Sequence, residues 1–378
     1  MRIAIFGGAF NPVHREHVNL ARAAVRELEL DKIIIMPTAV SPHKSGKLSA
    51  DFWQRFEMCR LAFASVPQAE VGNFELTRGG VSYTYLTCEH FAEIYKNAER
   101  WFIIGADMLE NFPQWKNPEK ILATFSLAAC AREDSKGFGD SKASVESLFN
   151  TKVKTIPYVG EKVSSTAIRT LAALDGEFDM YVNPSVGQYI RDNGLYYSGR
   201  LNGVKKLLNP ERWAHTVRVA VLCAKNAARA SLTEEQAITM AALHDCAKNL
   251  PAESPLLSGF VPPRDGVPPS VLHQYSSAYV AEKYFGVTDK TILSAIACHT
   301  TGKENMTDAD ALLFLCDMLE EGRKFDGIED LRAIFKSDLR ECLFAALSHQ
   351  IEYLKSTGAP IDGETEKAYK YIKDKKHE

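Results

Sequence analysis

Two glycines and two histidines near the start of the chain form a pattern that could bind an anion. Gly7 and Gly8 follow a short apolar run and allow the backbone to approach a ligand closely. His14 and His17 stand at the start of a helical pattern, where free backbone N–H groups favour anions. Imidazoles at such a place can donate hydrogen bonds to phosphate oxygens, so the pattern indicates a phosphate site. A tight turn with two surface histidines is the alternative that these four residues leave open.

A second group of residues, far along the chain, has the composition of a metal site. His244 and Asp245 are adjacent within an apolar run, and Asp317 lies in another. An aspartate is seldom buried without a charge partner or a metal. Three more histidines occur in the same region: His215, His273 and His299. Carboxylates combined with imidazoles suit iron, manganese or zinc.

The elements around the first group alternate between strands and helices. Short β-branched runs predict four strands: Arg2–Phe6, Lys32–Met36, Trp101–Ile104 and Phe125–Cys130. Apolar residues between the first two recur on one face of a helix: Val18, Ala21, Val25 and Leu28. Such alternation predicts a Rossmann-like parallel sheet with ligands at the carboxyl ends of its strands. The small polar residues of Ser135–Ser147 predict a mobile surface loop.

The second half of the chain has only helical patterns. The long ones are Arg212–Arg229, Thr233–Lys248, Ser270–Tyr284 and Leu339–Lys355. Three turn signals fall within Asp192–Gly203 and predict a boundary there. The sequence therefore predicts two domains, an α/β domain over residues 1–197 and an all-α domain over residues 203–378.

Composition excludes several classes of protein. The chain has 378 residues, with 45 Lys and Arg against 48 Asp and Glu, so it lacks the basic excess of a nucleic-acid-binding protein. No apolar run approaches the roughly 18–20 residues that span a membrane, and the N-terminal apolar stretch is too short for a signal peptide. The eight cysteines form no C-x-x-C pair, which favours reduced thiols in a cytoplasm.

The turn after the first strand resembles a nucleotidylyltransferase signature. Residues 8–17 match the pattern G-x-F-x-P-x-H-x-x-H, and residues 163–169 resemble the I-S-S-T-x-I-R loop of the same superfamily. The resemblance implies that ATP is held by the glycines, Phe10 and the hydroxyls of the second motif, Ser164, Ser165 and Thr166. It also implies that His14, His17 and Arg169 act on the triphosphate. A plain helix N-cap is the alternative for the hydroxyls.

Other segments resemble bacterial nicotinate-mononucleotide adenylyltransferases. The matches are Pro42-His43-Lys44, Ser82-Tyr83-Thr84, Ile104-Gly105-Ala106-Asp107 and Pro113-Gln114-Trp115. The resemblance assigns Tyr83, Thr84 and Trp115 to the nicotinate nucleotide. A core aromatic is the alternative for Trp115, and its polar neighbours Gln114 and Lys116 argue against it. Gly105 and Asp107 are assigned to the adenosine of ATP. Lys44 and Arg132 are assigned to phosphates.

The reaction that this resemblance implies is transfer of an adenylyl group. The mononucleotide phosphate attacks the α-phosphorus of ATP and expels pyrophosphate. The attacking oxygen is already anionic, so the reaction needs positioning and charge neutralisation by Mg²⁺, the histidines, Lys44 and Arg169 rather than a general base. Two departures from the family pattern concern nucleotide affinity and not the reaction class: Glu16 stands where the family usually has Gly, and Asn11 where it has Asp.

The six histidines and aspartates of the second half occur in the order H…HD…H…H…D, which resembles the HD-domain phosphohydrolases. The similarity is to symmetrical bis(5′-nucleosyl)-tetraphosphatases of HD type. It implies two metal ions, with iron expected, and Asp245 bridging them. Metal-activated water would split diadenosine tetraphosphate into two ADP. Lys248 and Arg323 are implied as phosphate contacts, with solvated surface charges as the alternative, and Gln274 stands where the family often has Gly.

The two resemblances together predict a bifunctional cytoplasmic enzyme for nicotinate adenine dinucleotide synthesis and dinucleoside polyphosphate hydrolysis. One alternative keeps the transferase and makes the second half a regulatory nucleotide-binding module without turnover. Another changes the acceptor to nicotinamide mononucleotide or phosphopantetheine. A homodimer is a further hypothesis, because the sequence leaves the oligomeric state open.

Overall fold

The structure is a computed structural model that describes residues 1–39, 49–130, 137–161 and 163–375. It divides into two compact units. The first holds the described residues up to Ile168 together with Glu177–Leu195, and the second holds Arg169–Gly176 and the chain from Tyr196 onward. The division after Leu195 falls within the turn-rich segment at residues 192–203.

The first unit is built on a parallel six-stranded sheet. Its strands are β1 (Arg2–Gly8), β2 (Lys32–Pro37), β3 (Ala69–Val71), β4 (Glu99–Gly105), β5 (Ser126–Cys130) and β6 (Val153–Ile156). Their order in the sheet is β3-β2-β1-β4-β5-β6, and every pair is parallel. The predicted α/β fold is thus confirmed. The sequence missed β3 and β6, which are short edge strands with only three and four residues.

Helices cover the sheet and lie between its strands. They are α1 (Arg15–Glu27), α2 (Phe52–Phe63), α3 (Phe74–Arg78), α4 (Thr84–Ile94), α5 (Ala106–Asn111), α6 (Pro118–Leu122), α7 (Phe138–Phe149), α8 (Ser165–Ala173) and α9 (Pro184–Asp192). In α1 the predicted apolar face is buried at Val18 and Ala21. Because successive strands run parallel, β1 and β4 both end at the same edge, at Gly8 and Gly105.

The prediction of a loop over residues 135–147 is wrong for those residues that the structure describes, because most of them are helical. Helix α7 begins at Phe138 and continues to Phe149. Val145 is buried, and both phenylalanines pack against the apolar core beside it. These three residues recur at helical spacing, and the small polar residues between them hid that pattern from a composition argument.

The second unit is helical throughout its described part, as predicted. Its α-helices are α10 (Pro210–Asn226), α11 (Glu234–Leu243), α12 (Pro269–Lys283), α13 (Lys290–Cys298), α14 (Asp308–Leu319), α15 (Ile328–Ser337), α16 (Leu339–Thr357) and α17 (Gly363–Lys375). Helix α11 ends earlier than predicted, so His244 and Asp245 follow its last residue. No helix among the described residues combines the length and the apolar character needed to cross a membrane.

Candidate active sites

The turn between β1 and α1 is shaped by a buried aromatic ring. Phe10 has a positive φ of 45° and is 2% exposed, and its ring contacts those of Phe6 and His17. A Cβ atom on Gly8 would lie 3.1 Å from the Phe10 ring. Glycine at position 8 therefore avoids a tight contact with this ring, and Phe10 supports the turn from within the core.

The two histidines of the turn form one unit. Their rings stack with centroids 3.7 Å apart, and the backbone N–H of His14 donates to His17 Nδ1 at 3.1 Å. A neutral His17 that accepts at Nδ1 carries its proton on Nε2, and a phosphate oxygen can accept a hydrogen bond from an N–H group of this kind. His14 is 4% exposed. The alternative of two surface histidines therefore does not describe this turn.

The structure brings the second hydroxyl-rich motif to the same turn. Ser165 Oγ donates to the carbonyl oxygen of Pro12 at 2.9 Å, across 153 positions of sequence. Ser164 Oγ accepts from the backbone N–H of Ala167 at 3.2 Å, as a helix-capping serine does. Thr166 lies in the first turn of α8. The two sequence motifs thus meet, and Ser164 also has the capping role that the sequence left open.

Arg169 has a carboxylate partner. Its side chain is 2% exposed and forms an ion pair with Glu234, the first residue of α11. Both residues belong to the second unit by their contacts. A phosphate that binds this guanidinium must therefore compete with the Glu234 carboxylate.

The residues assigned to the nicotinate nucleotide lie near the ends of short elements. Trp115 is half-buried, and its ring packs on Phe112 and Phe102 with centroids 5.4 and 6.1 Å away. The core interpretation of Trp115 therefore holds for its packed side, while part of the ring remains exposed. Tyr83 is 38% exposed and immediately precedes Thr84, the first residue of α4.

The two residues that the resemblance assigns to the adenosine of ATP lie where β4 ends. Gly105 is the last residue of that strand, and a Cβ atom there would lie 2.7 Å from Asp107 Oδ1. Glycine therefore allows the Asp107 side chain to fold back over the strand end. The remaining predicted phosphate ligands, Lys44 and Arg132, lie outside the described residues.

The six predicted metal ligands come together from five places in the second unit. His215 lies in α10, His244 and Asp245 follow α11, His273 lies in α12, His299 follows α13, and Asp317 lies in α14. Asp245 Oδ1 is 3.2 Å from His273 Nε2 and 3.4 Å from His299 Nε2. On the other side of the cluster, His215 Nε2 is 2.9 Å from Asp317 Oδ1. Asp245 is only 1% exposed.

The donor set fits divalent metal ions. Two groups of ligand atoms lie within 4.8 Å of one another: His215, His244 and Asp317, and His244, Asp245 and His299. Within the described residues, His215 Nε2, His244 Nε2 and Asp245 Oδ1 are buried without a hydrogen-bond partner. Buried polar atoms without partners are costly, and a bound cation would satisfy all three. The two groups share His244 and so lie next to each other; its Nε2 atom can bind one ion, whereas each aspartate offers two carboxylate oxygens.

Backbone carbonyls orient two of the histidines. His244 Nδ1 lies 2.6 Å from the carbonyl oxygen of Ala241, and His299 Nδ1 lies 2.8 Å from that of Ile296. A proton held on Nδ1 by a carbonyl leaves the Nε2 lone pair directed at the centre of the cluster. Burial lowers the pKa of His273 to about 4, so this imidazole is neutral at pH 7 and can also act as a ligand.

A carboxylate that the sequence reasoning missed orients His215. Glu320 Oε1 lies 3.0 Å from His215 Nδ1, and Arg218 pairs with the same carboxylate. Glu320 is 2% exposed. Burial raises the pKa of Glu320, but the hydrogen bonds from His215 and Arg218 outweigh it and lower the pKa to about 2. The signal was present, because Glu320 and Arg218 each stand one helical turn after a predicted ligand.

The carboxylates of the cluster are ionised. Burial raises the pKa of Asp245, but its neighbours His244, His273 and His299 hold it below its usual range. The pKa of Asp317 is likewise lowered, because the nearby His215 and the charge of Arg323 outweigh burial. Both oxygen ligands are therefore anionic at neutral pH.

Basic side chains surround the cluster. Lys248 Nζ is 3.3 Å from Asp245 Oδ1, and Arg323 Nη2 is 2.7 Å from Asp317 Oδ1. Arg212, which the sequence reasoning did not select, donates to Asp245 Oδ2 at 2.8 Å. These three side chains are 26–38% exposed, so each reaches solvent beside the cluster. They are placed to meet an anionic ligand.

Three cysteines next to ligands are packing residues. Cys246, Cys298 and Cys316 are at most 3% exposed. Neither candidate metal group found among the described residues contains a cysteine. The expected role in packing agrees with this placement.

Both halves of the chain are similar to known proteins. Residues 5–171 match the family model described as cytidylyltransferase-like, and residues 212–322 match the HD domain. A Mycoplasma genitalium protein described as a probable nicotinate-nucleotide adenylyltransferase/Ap4A hydrolase is 29% identical over 92% of this chain and 97% of its own length. A Clostridium kluyveri protein, described as a probable nicotinate-nucleotide adenylyltransferase, is 32% identical over 51% of this chain and 98% of its own length. Among solved structures, a predicted HD superfamily hydrolase involved in NAD metabolism from Clostridium acetobutylicum is 25% identical over 46% of this chain and 94% of its own, with a TM-score of 0.41.

Proposed function

Because the chain belongs to the nicotinate-nucleotide adenylyltransferase family over about half its length and carries an HD domain in the rest, we propose that it is a bifunctional nucleotide enzyme. The first activity joins ATP and nicotinate mononucleotide into nicotinate adenine dinucleotide. The second hydrolyses diadenosine tetraphosphate to two ADP. Both substrates are anionic nucleotides, and each proposed site has donors or cations for phosphates.

The transferase proposal rests above all on the meeting of two distant motifs at one turn. The bond between Ser165 and Pro12 places the hydroxyl-rich start of α8 beside the His14–His17 pair. In the proposed reaction an oxygen of the mononucleotide phosphate forms a bond to the α-phosphorus of ATP. The bond from that phosphorus to the bridging oxygen breaks, and pyrophosphate leaves with the electron pair.

The chain's contribution to this step is positioning and neutralisation of charge. His17 would donate a hydrogen bond from Nε2 to the triphosphate. Mg²⁺ is proposed to bind the phosphates of ATP and to neutralise part of their charge. We propose that the nicotinate ring contacts Tyr83 and the exposed part of Trp115. We propose that the adenosine of ATP contacts Gly105 and Asp107.

The hydrolase proposal is supported by the clustering of the six histidine and aspartate side chains, in which three buried ligand atoms lack a hydrogen bond within the described residues. We propose that His215, His244, His273, His299, Asp245 and Asp317 hold two divalent ions, with iron as the first candidate among iron, manganese and zinc. Such ions polarise a phosphoryl group and make water a better nucleophile. Arg212, Lys248 and Arg323 would orient the polyphosphate, because their side chains reach solvent beside the cluster.

Separate inactivation of the two sites tests the proposal in the full chain. His17→Ala is expected to reduce dinucleotide synthesis from ATP and nicotinate mononucleotide, while ADP release from diadenosine tetraphosphate persists. His244→Ala is expected to do the opposite and to lower the metal content. His90→Ala and His349→Ala are matched controls, because these histidines lie outside both clusters.

Each alternative has its own outcome. A metal-loaded chain that releases no ADP would favour a regulatory HD module without turnover. Faster turnover with nicotinamide mononucleotide or phosphopantetheine than with nicotinate mononucleotide would show that the faster substrate is the acceptor. Loss of both activities in either single variant would contradict two separate sites.

A further inference from the structure

The residue between the two histidines of the anion-binding turn is tied to a distant loop. Glu16 stands in the first turn of α1, at a position where the nucleotidylyltransferase signature usually has glycine. Its Oε2 atom accepts a hydrogen bond from the hydroxyl of Tyr158 at 2.6 Å and another from the backbone N–H of Glu161 at 2.8 Å. Glu16 Oε1 accepts from the Asn19 side chain at 3.3 Å.

The loop that Glu16 contacts leads to the second phosphate motif. Tyr158 follows the last residue of β6 by two positions, and the chain then reaches Ser164 and α8. At Gly160 a Cβ atom would overlap Glu16 Oε2 and lie 2.9 Å from Tyr158 Cε1. A side chain at position 160 would therefore force the Glu16 carboxylate or the Tyr158 ring to move, and glycine avoids this.

A carboxylate beside a proposed triphosphate site would be unfavourable if it faced the phosphates. Here both donors draw Glu16 Oε2 toward the loop at 158–161. Burial and the hydrogen bond to Glu16 raise the pKa of Tyr158, so its hydroxyl is protonated and donates at neutral pH. A charge that accepts two hydrogen bonds is better stabilised than one exposed to other anions.

We propose that Glu16 is a positioning residue for ATP, holding the loop at 158–161 so that the hydroxyls of Ser165 and Thr166 stay at a fixed distance from the His14–His17 pair. Glu16 acts together with the hydrogen bond from Ser165 to the Pro12 carbonyl oxygen, which ties the start of α8 to the turn between β1 and α1. The inference rests on the transferase function proposed above. The glutamate that stands in place of the usual glycine at position 16 would then have a structural role in the proposed ATP site.

Two substitutions at one position separate positioning from charge. Glu16→Gln keeps an oxygen that can accept from Tyr158 and Glu161 but removes the negative charge. Glu16→Gly removes both the acceptor and the charge. If Glu16 positions the loop, the glutamine variant keeps a KM for ATP within about twofold of the wild type, and the glycine variant raises it about tenfold or more. If Glu16 only repels phosphate, both variants lower that KM.

Tyr158→Phe tests the same bond from the other side. It removes the donor without changing charge, and we expect the KM for ATP to rise about three- to tenfold while the KM for nicotinate mononucleotide stays nearly constant. In the Glu16→Gly background the same substitution should add little, because its partner is already gone. Independent, multiplicative effects of the two substitutions would contradict the proposed link.

Glu27→Gln is the matched control. Glu27 ends the same helix and pairs with Lys154 of β6 at 2.7 Å, so it ties the same two elements together away from the glycine turn. The KM for ATP of the Glu27→Gln variant should equal that of the wild type. Thermal unfolding of each variant identifies any that do not fold, in which case Tyr158→Phe carries the test.

The proposed function and this inference fail differently. A wild-type chain that makes no nicotinate adenine dinucleotide overturns the function. An active wild type whose Glu16→Gly and Tyr158→Phe variants keep an unchanged or lower KM for ATP overturns the positioning role alone.

Discussion

The guanidinium of Arg169 and the carboxylate of Glu234 form a two-point ion pair, with Nε–Oε1 and Nη2–Oε2 distances of 2.7 and 2.6 Å. The Arg169 side chain is 2% exposed, whereas that of Glu234 is 25% exposed. Parallel, two-point contacts are the strong geometry for arginine with a carboxylate. The residue that the sequence predicts as a triphosphate ligand is thus held by a carboxylate in the folded chain.

Removal of Glu234 should destabilise the protein. Glu234→Ala leaves the buried Arg169 charge without this partner, and we expect the free energy of unfolding to fall by about 2–4 kcal/mol. Glu235→Ala is the control, because Glu235 is also in the first turn of α11 and loses a similar interaction with the helix dipole. Urea unfolding of both variants measures the difference. Equal effects of the two substitutions would show that the ion pair contributes nothing of its own.

Glu320 should govern metal retention. Glu320→Ala removes the carboxylate that orients His215, and we expect metal affinity to fall about 10- to 100-fold, as for other partners of metal-bound histidines. Metal content after dialysis against increasing chelator measures the change. Glu321→Ala is the matched control, because its side chain is exposed next to Glu320 in the chain. Full metal retention in Glu320→Ala would argue against this orienting role.

Gln274 should stabilise the segment that follows His299. Its side-chain oxygen accepts from the backbone N–H groups of Thr300 and Thr301 at 3.1 and 3.2 Å, and its amide donates to Thr301 Oγ1 at 3.0 Å. Gln274 is fully buried. Gln274→Ala leaves these groups unsatisfied, so the free energy of unfolding should fall by about 1–3 kcal/mol.

Denaturant unfolding of Gln274→Ala, with metal content measured in parallel, checks this prediction. Gln188→Ala is a control, because Gln188 is exposed and its amide donates to Asp192 on the surface. A Gln274→Ala protein as stable as the wild type would mean that Gln274 merely replaces the glycine of related sequences.

The thiols should be inert in the native state. All eight cysteines are buried, and burial raises the pKa of Cys246 and Cys342 to about 12. The thiolate is the reactive form, so a disulfide reagent at pH 8 should react with few thiols in minutes. Eight should react in guanidinium chloride. Rapid native labelling of several cysteines would contradict the packing of both units.

Sequence patterns predicted the fold class because they depend on local spacing. The β-branched runs at residues 2–6 and 101–104 lie in β1 and β4, and the helical face that includes Val18 is buried as expected. The short edge strand β3 escaped prediction, since three half-exposed residues carry almost no period. Helix α7 was mistaken for a loop because its apolar face is sparse.

Residue types and their spacing are enough to indicate the chemistry, because the glycine–histidine turn and the six-member histidine and aspartate set can be recognised along the chain. How those groups are held is fixed by the packing of the folded chain. Glu16 meets Tyr158, Glu320 meets His215, and Arg169 meets Glu234 only because elements distant in sequence pack together. A pattern within one segment carries no information about the partner that another segment brings, so these contacts had to be found in three dimensions.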